Sequence, residues 1–419
     1  MEVTSVQRRT LRVLFATQII SGIGIAVGAS VGALLAAEIA GIGVSGLALS
    51  ANVVGAALFA LPATAIVRRH GRRPSLAAGY LVAAVGSILV VAAAVRSSIP
   101  LLMAGFFLFG GATAAGLQAR YAAVDLAPAA LRGRHLSLIV WATTLGAVVG
   151  PSLAAPAGAS LDRYGIPTLA GPFLFSALLF GLATLLLMLL LRPDPALIAR
   201  TALGAPSAPG VVNPRGGMRA ALRAVVSQAS PRLGVGAMAA GHVVMVGVMT
   251  MTPVHIRSAG HGAAQTLQVV GVVLSFHIAG MFALSPVFGW LTDKLGRRPV
   301  IVMGIALLLG ACALAGSAGH HSVRLAGALT MLGLGWSATT VAGSTLLSES
   351  VSAELRASAQ GLSDLAMGLA GASAGAISGL IVEGWGYSTL TLLAALATAP
   401  LVVLVSLSAK AKPSAVPEA

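Results

Sequence analysis

Four residues carry the sharpest chemistry in this sequence: Met245, Met249, His277 and Met281. They form two pairs, MxxxM in one apolar run and HxxxM in the next. A spacing of four sets both members of a pair on one face of a helix. Thioether and imidazole together are the ligand set of a soft monovalent metal, above all cuprous copper. Met238 and His242 extend the first face by steps of four and three, whereas Met251 points elsewhere. No ring of carboxylates suits magnesium, calcium or manganese. The single cysteine, Cys312, excludes both a cysteine cluster for zinc and an intramolecular disulfide. His255 and His261 fall in outward loops; together with His242 and Met251 of the first run they are candidate entry ligands. The competing reading is packing. Methionine fills irregular cores, and a histidine within a membrane can simply bond a neighbouring helix.

The elements that must position these residues are membrane helices. The 419 residues are 57% hydrophobic and 9% charged, far from the balance of a soluble domain. Apolar runs of about 20 residues recur, the length that crosses a bilayer as a helix. Twelve are expected, in two sets of six. The first set lies near Leu11–Ala37, Val44–Val67, Pro74–Val95, Pro100–Tyr121, Leu136–Ala159 and Thr168–Leu191. The second lies near Leu233–Val254, Thr266–Leu291, Pro299–Ala318, Val323–Leu347, Ala357–Val382 and Leu390–Leu407. The fold class is therefore all-α and polytopic. Residues 1–191 form one six-helix bundle, 192–232 a cytoplasmic linker with room for one surface helix, and 233–419 the second bundle with a cytoplasmic tail. With the N-terminus inside, all of the 26 Lys and Arg except Arg96, Arg163, Arg257 and Arg324 fall on the inner side. This positive-inside bias accounts for the net charge of +15 without nucleic acid. It predicts a multi-pass protein of the bacterial inner membrane with both termini cytoplasmic and the bilayer as its surroundings. A monomer is expected.

An internal repeat appears at one point. Gly289–Trp–Leu–Thr–Asp293–Lys294–Leu–Gly296–Arg297–Arg298 follows the eighth run. Thr64–Ala–Ile–Val–Arg68–Arg69–His70–Gly71–Arg72–Arg73 follows the second and keeps the glycine–basic–basic ending, with Thr64 and Arg68 in place of the first glycine and the acid. The longer copy resembles the cytoplasmic signature of the major facilitator superfamily. That resemblance implies the two-bundle major facilitator fold and a role in conformational switching for Gly289, Asp293, Gly296, Arg297 and Arg298.

The two methionine–histidine motifs sharpen the likeness. With Thr250–Met–Thr–Pro253–Val–His255, Ser275–Phe–His277–Ile–Ala–Gly–Met281 and Gln118–Ala–Arg120–Tyr121–Ala–Ala–Val–Asp125, they resemble the CcoA-like copper importers (the CalT family). The resemblance implies copper uptake for the assembly of haem–copper oxidases. Met245, Met249, His277 and Met281 would handle copper as substrate, not as a cofactor, and a cytosolic acceptor would receive it. That family also contains riboflavin-type importers, so a flavin-like organic solute is the first alternative. Proton-coupled drug efflux is the second, on the strength of Gly146–Ala–Val–Val–Gly150–Pro151 in the fifth run, which packing between helices explains equally well. Asp364, near the start of the eleventh run, is a candidate coupling group or a residue facing a helix dipole. No nucleophile–base constellation and no phosphate loop point to an enzyme.

Overall fold

The structure, a computed structural model, describes residues 3–128, 131–162, 165–202, 214–352 and 355–410. Every regular element among them is helical. In hydrocarbon each backbone polar group must be satisfied within the segment, and a helix achieves that for an apolar run of any sequence. The order is α1 (Val3–Ala40), α2 (Ile42–His70), α3 (Arg72–Arg96), α4 (Ile99–Ala122), α5 (Arg132–Val149), α6 (Ala154–Asp162) and α7 (Gly171–Leu190). Two short helices follow, α8 (Pro195–Ala202) and α9 (Pro214–Ser227). Then come α10 (Ala229–Arg257), α11 (Ala263–Phe282), α12 (Ser285–Leu295), α13 (Arg297–Ser317), α14 (Ser322–Ser350), α15 (Arg356–Leu396) and α16 (Ala399–Lys410).

Eleven stretches among the described residues are long and apolar enough to cross a membrane. The last, Ser358–Ser408, has 51 residues. At 1.5 Å per residue it would be about 77 Å long, more than twice the hydrocarbon thickness. Gly386 breaks it, with φ 83° and ψ 171° inside α15. Two spans therefore share that stretch, which gives the twelve expected from the sequence.

Three spans are discontinuous where the sequence predicts single helices, the last of them between α15 and α16 at residues 397–398. α5 passes into α6 through a tight 3-10 turn, Gly150–Leu153, at the residue where Pro151 lacks an amide hydrogen. α11 stops at Phe282, and α12 restarts with Pro286 in its first turn. The predicted linker holds two helices, α8 and α9, and not one. Its centre, residues 203–213, lies outside the described residues, as do Arg163 and the tail from residue 411.

The chain forms two compact units. One comprises Met1–Gly210, Thr250–Ile278 and Gly375–Gly384; the other comprises Val211–Met249, Ala279–Ala374 and Trp385–Ala419. Within the first, Gly24, Gly28 and Gly32 make one bare face of α1, at steps of four. A Cβ on each would meet the ring of Phe180, Phe109 or Phe106 respectively, at 2.8–3.0 Å. Phe106 and Phe109 pack edge-to-face on Phe173, with Phe106–Phe173 centroids 5.5 Å apart, and Phe109 packs the same way on Phe180 at 5.4 Å. Small residues on α1 thus let aromatic rings from α4 and α7 reach the helix axis. In the second unit, Leu233 and Ala237 pack with Phe288, Val300, Ile301, Ile305, Ala338 and Ala342.

Candidate functional site

Both copies of the repeated turn are built alike. Gly71 and Gly296 each link two helices with positive φ, 94° and 91°, and extended ψ. A side chain would strain that conformation, so glycine is needed at both. The arginine that follows each glycine then binds an acid about fifty residues on. Arg72 grips Asp125 with Nε and Nη2 at 2.8 and 3.0 Å, and donates Nη1 to the Gln118 side-chain Oε1 at 2.9 Å. Arg297 grips Glu349 with Nε and Nη2 at 2.8 and 2.5 Å, and lies 4.0 Å from Asp293. Both pairs are bidentate, the geometry in which guanidinium and carboxylate bind best. In the first copy Asp194 adds a second tie. Its Oδ2 accepts the Arg73 amide at 2.7 Å, while its Oδ1 accepts those of Ala196 and Leu197 at the start of α8. The sequence signals the glycines and arginines, and Asp125 as part of a motif but not as the partner of Arg72; it does not signal Asp194 or Glu349.

On α10 and α11 the motif residues differ in their surroundings. Met245 and Met281 are buried, Met249 is half-buried, and His277 is fully buried. Met245, Met249 and Met281 belong to the second unit and His277 to the first. Met238, on the same face as Met245, is buried in an apolar cluster with Ala221, Val225, Leu347, Val351 and Ala359. At that position packing explains the methionine.

His242 is the best-defined polar group of this helix. The Trp336 indole N–H donates to its Nδ1 at 3.1 Å. Indole is only a donor, so Nδ1 carries no proton and the neutral ring bears its proton on Nε2. As bonded here, His242 presents a hydrogen-bond donor and no free lone pair for a metal. Trp336 also packs edge-on against Phe282, with centroids 5.8 Å apart. Gly371 on α15 makes room for the imidazole, since a Cβ there would lie 2.7 Å from His242 Cδ2. The group joins α10, α11, α14 and α15 within one unit. Trp336 was missed in the sequence, although a tryptophan inside a span, whose N–H must find a partner, is itself a signal.

The remaining candidates lie apart from this group, and His255 sits in the last turn of α10 rather than in the outward loop the sequence suggests. Met251 is buried, with its sulfur 3.6 Å from Ser45 Oγ. His255 and His261 are half-buried, and their backbone carbonyls accept the hydroxyls of Ser258 and Thr266. Asp364 is exposed on α15. Gly146 and Gly150 pack against α1: a Cβ on Gly150 would sit 3.0 Å from the Ile23 carbonyl, and one on Gly146 2.8 Å from the Ile23 amide.

The first unit also contains a close seam. Gly46 on α2 abuts the Gly375 carbonyl, and a Cβ on Gly379 would lie 2.6 and 2.8 Å from the carbonyls of Ile42 and Gly43. A Cβ on Gly271 of α11 would meet the Pro151 carbonyl at 2.6 Å, and Ser152 and Ser275 share a 2.9 Å hydrogen bond. Arg257 reaches Glu38 at 3.5 Å. These contacts explain why residues 250–278 and 375–384 group with the first six spans rather than with the rest of the second set.

The Major Facilitator Superfamily model matches residues 14–276 and 263–419. The chain is 39% identical over 403 residues to the uncharacterized MFS-type transporter YdeG of Bacillus subtilis, covering 96% of this chain and 92% of that one. It is 28% identical over 358 residues to the riboflavin transporter RfnT of Brucella anthropi, covering 84% and 82%. Among solved structures, the nucleoside transporter NupG superposes with TM-score 0.73 at 14% identity, covering 97% of this chain and all of NupG, a likeness of fold. The paired glycine turns, the helical spans and these matches together mean that the chain belongs to the major facilitator superfamily and is a multi-pass membrane transporter.

Proposed function

We propose that this transporter carries a small planar organic solute, of the heteroaromatic class to which riboflavin belongs. The observation that carries the reading is the group of His242, Trp336 and Phe282, two aromatic rings beside an imidazole whose tautomer is fixed by the indole. Aromatic faces stack on a flat heterocycle, and one positioned N–H selects a ring carbonyl or nitrogen. The likeness to a riboflavin transporter supports the same class. Residues 1–191 and 233–419 act as two six-helix bundles in alternating access, joined by 192–232. The one-sided distribution of basic residues supports the inner membrane with both termini cytoplasmic.

Copper uptake is the second reading. It is favoured by the burial of Met245, His277 and Met281 within spans. Among the described residues no group of three His, Cys, Asp or Glu side chains could hold a metal, so such an ion would rest on thioethers. Gly146 and Gly150 serve the packing of α5 on α1, so that motif does not favour drug efflux.

Uptake of labelled riboflavin and of radioactive copper, in cells with and without the protein, separates the two. Accumulation of riboflavin that falls in His242→Phe supports the first reading. Accumulation of copper that falls in Met245→Leu, Met249→Leu, His277→Ala and Met281→Leu, but persists in Met251→Leu, replaces it with the second. Riboflavin uptake equal to that of cells lacking the protein rejects riboflavin itself and sends the test to other flat heterocycles.

A further inference from the structure

Helix α9 has three distinct sides. Ala221 and Val225 are buried in the apolar cluster with Met238 and Leu347, which fixes the helix against the second unit. Met218, Leu222 and Val226, at steps of four, form an apolar stripe that is exposed among the described residues. Arg219 and Arg223 are exposed as well. At about 100° per residue the sides follow one another around the helix. The buried pair comes first, the apolar stripe next, centred roughly 80° further on, and the two arginines beyond it, centred roughly 160° from the pair.

The position of α9 along its axis is also set. Only Gln228 separates it from α10, a membrane span. Arg232, in the first turn of α10, donates Nη1 to the Val226 carbonyl at 3.3 Å. A cation there satisfies a terminal carbonyl and suits the negative end of the α9 dipole. The helix is thereby held at the mouth of a span, on the side of the membrane where the basic loops lie.

A helix with an apolar stripe edged by arginines, at the depth where lipid headgroups begin, has the chemistry of a membrane-surface helix. We infer that α9 lies in the leaflet on the basic-loop side and binds anionic phospholipid. Met218, Leu222 and Val226 enter the acyl boundary, and Arg219 and Arg223 hold headgroup phosphates. The sign of the charge selects the lipid: two cations next to the stripe, with no acid among the side chains described in α9, favour phosphatidylglycerol over zwitterionic lipid. The inference is independent of which solute is transported.

The test uses the full-length protein in phosphatidylcholine vesicles, with and without phosphatidylglycerol. Nitroxides are attached to Leu222→Cys and, separately, Ser227→Cys, in a Cys312→Ala background. The label at 222 should relax with oxygen and resist a water-soluble nickel chelate, and the label at 227 should do the reverse. Equal access of the chelate to both positions overturns insertion. Shielding of 222 from both reagents, with spin–spin broadening, overturns it too and gives the stripe to a second copy of the chain. In the second arm, phosphatidylglycerol is titrated onto detergent-purified protein. A basic residue near an anionic surface is worth roughly a fivefold change in binding, so Arg219→Gln with Arg223→Gln should weaken binding by roughly fivefold to thirtyfold. Unchanged affinity overturns the assignment of the anionic headgroup.

Discussion

Replacing Gly379 by alanine tests whether the seam between α2 and α15 governs access. A Cβ at residue 379 would stand 2.6 Å from the Ile42 carbonyl oxygen, whereas ordinary contact begins at 3.4 Å. The two helices must therefore part by about 0.8 Å, and both obstructing groups are backbone carbonyls that cannot rotate away. Overpacking of this kind costs about 1–3 kcal/mol. Since each 1.4 kcal/mol is a factor of ten, the closed seam should lose roughly 5- to 150-fold in population against any state in which α2 and α15 are apart. Spin labels at Leu47→Cys and Ile377→Cys, both exposed positions, report the separation in a Cys312→Ala background. Pulsed dipolar spectroscopy should show a longer-distance population in Gly379→Ala, together with slower transport. Gly384→Ala is the control, because nothing lies within 4 Å of a Cβ there. An unchanged distance distribution in folded Gly379→Ala protein would refute the reasoning: the seam would then be static packing.

Other changes probe the repeated turn and the imidazole. Asp125→Asn leaves Arg72 without its charge partner in a pair whose side chains are only 13% and 16% exposed, and should cost about 3–5 kcal/mol, read as a large fall in Tm. Glu349→Gln breaks the more exposed Arg297 pair, at 28% and 49%, and should cost under about 1 kcal/mol by the same measurement. Asp293→Asn should slow transport while leaving solute affinity in place; lost binding with intact folding would move the site to that turn. Trp336→Phe keeps a ring but removes the N–H that fixes His242, so the apparent KM for a flat solute should rise by about tenfold with expression unchanged, measured by uptake across a concentration series.

The parts of this fold that were legible in the sequence depend on groups close together in the chain. The spans follow from runs of about 20 apolar residues, and the two matching turns follow from Gly71–Arg72–Arg73 and Gly296–Arg297–Arg298. What the arginines bind was not legible. Asp125 lies 53 positions beyond Arg72, and Glu349 lies 52 beyond Arg297. Nothing local marks either acid as an arginine's partner, yet the near-equality of the two separations is a repeat signal once the turns have been aligned. Helix breaks were hidden for a different reason. Pro62 and Pro253 lie within continuous helices, whereas Pro151 and Pro286 accompany breaks. Proline alone does not decide, because neighbouring helices determine whether the freed carbonyls are satisfied.

The methionine–histidine face shows the same limit from the side of chemistry. Steps of four and three put Met238, His242 and Met245 in line, and the line is real on α10. What each residue does there is set by another helix. Met238 meets Leu347 and Ala359, so it is core. His242 meets Trp336, so it donates through Nε2. A periodic pattern identifies a face but not its partner. In a bilayer, where apolar side chains gain little by choosing one another over lipid, the partner is fixed by the few sites where a small residue or a polar group permits close approach. Those sites include Gly241 of α10 against Thr339, Gly343 of α14 against Met238, and Gly371 of α15 against His242. The glycines are thus as informative about the site as the ligating side chains, because they determine which neighbours a histidine or methionine can reach.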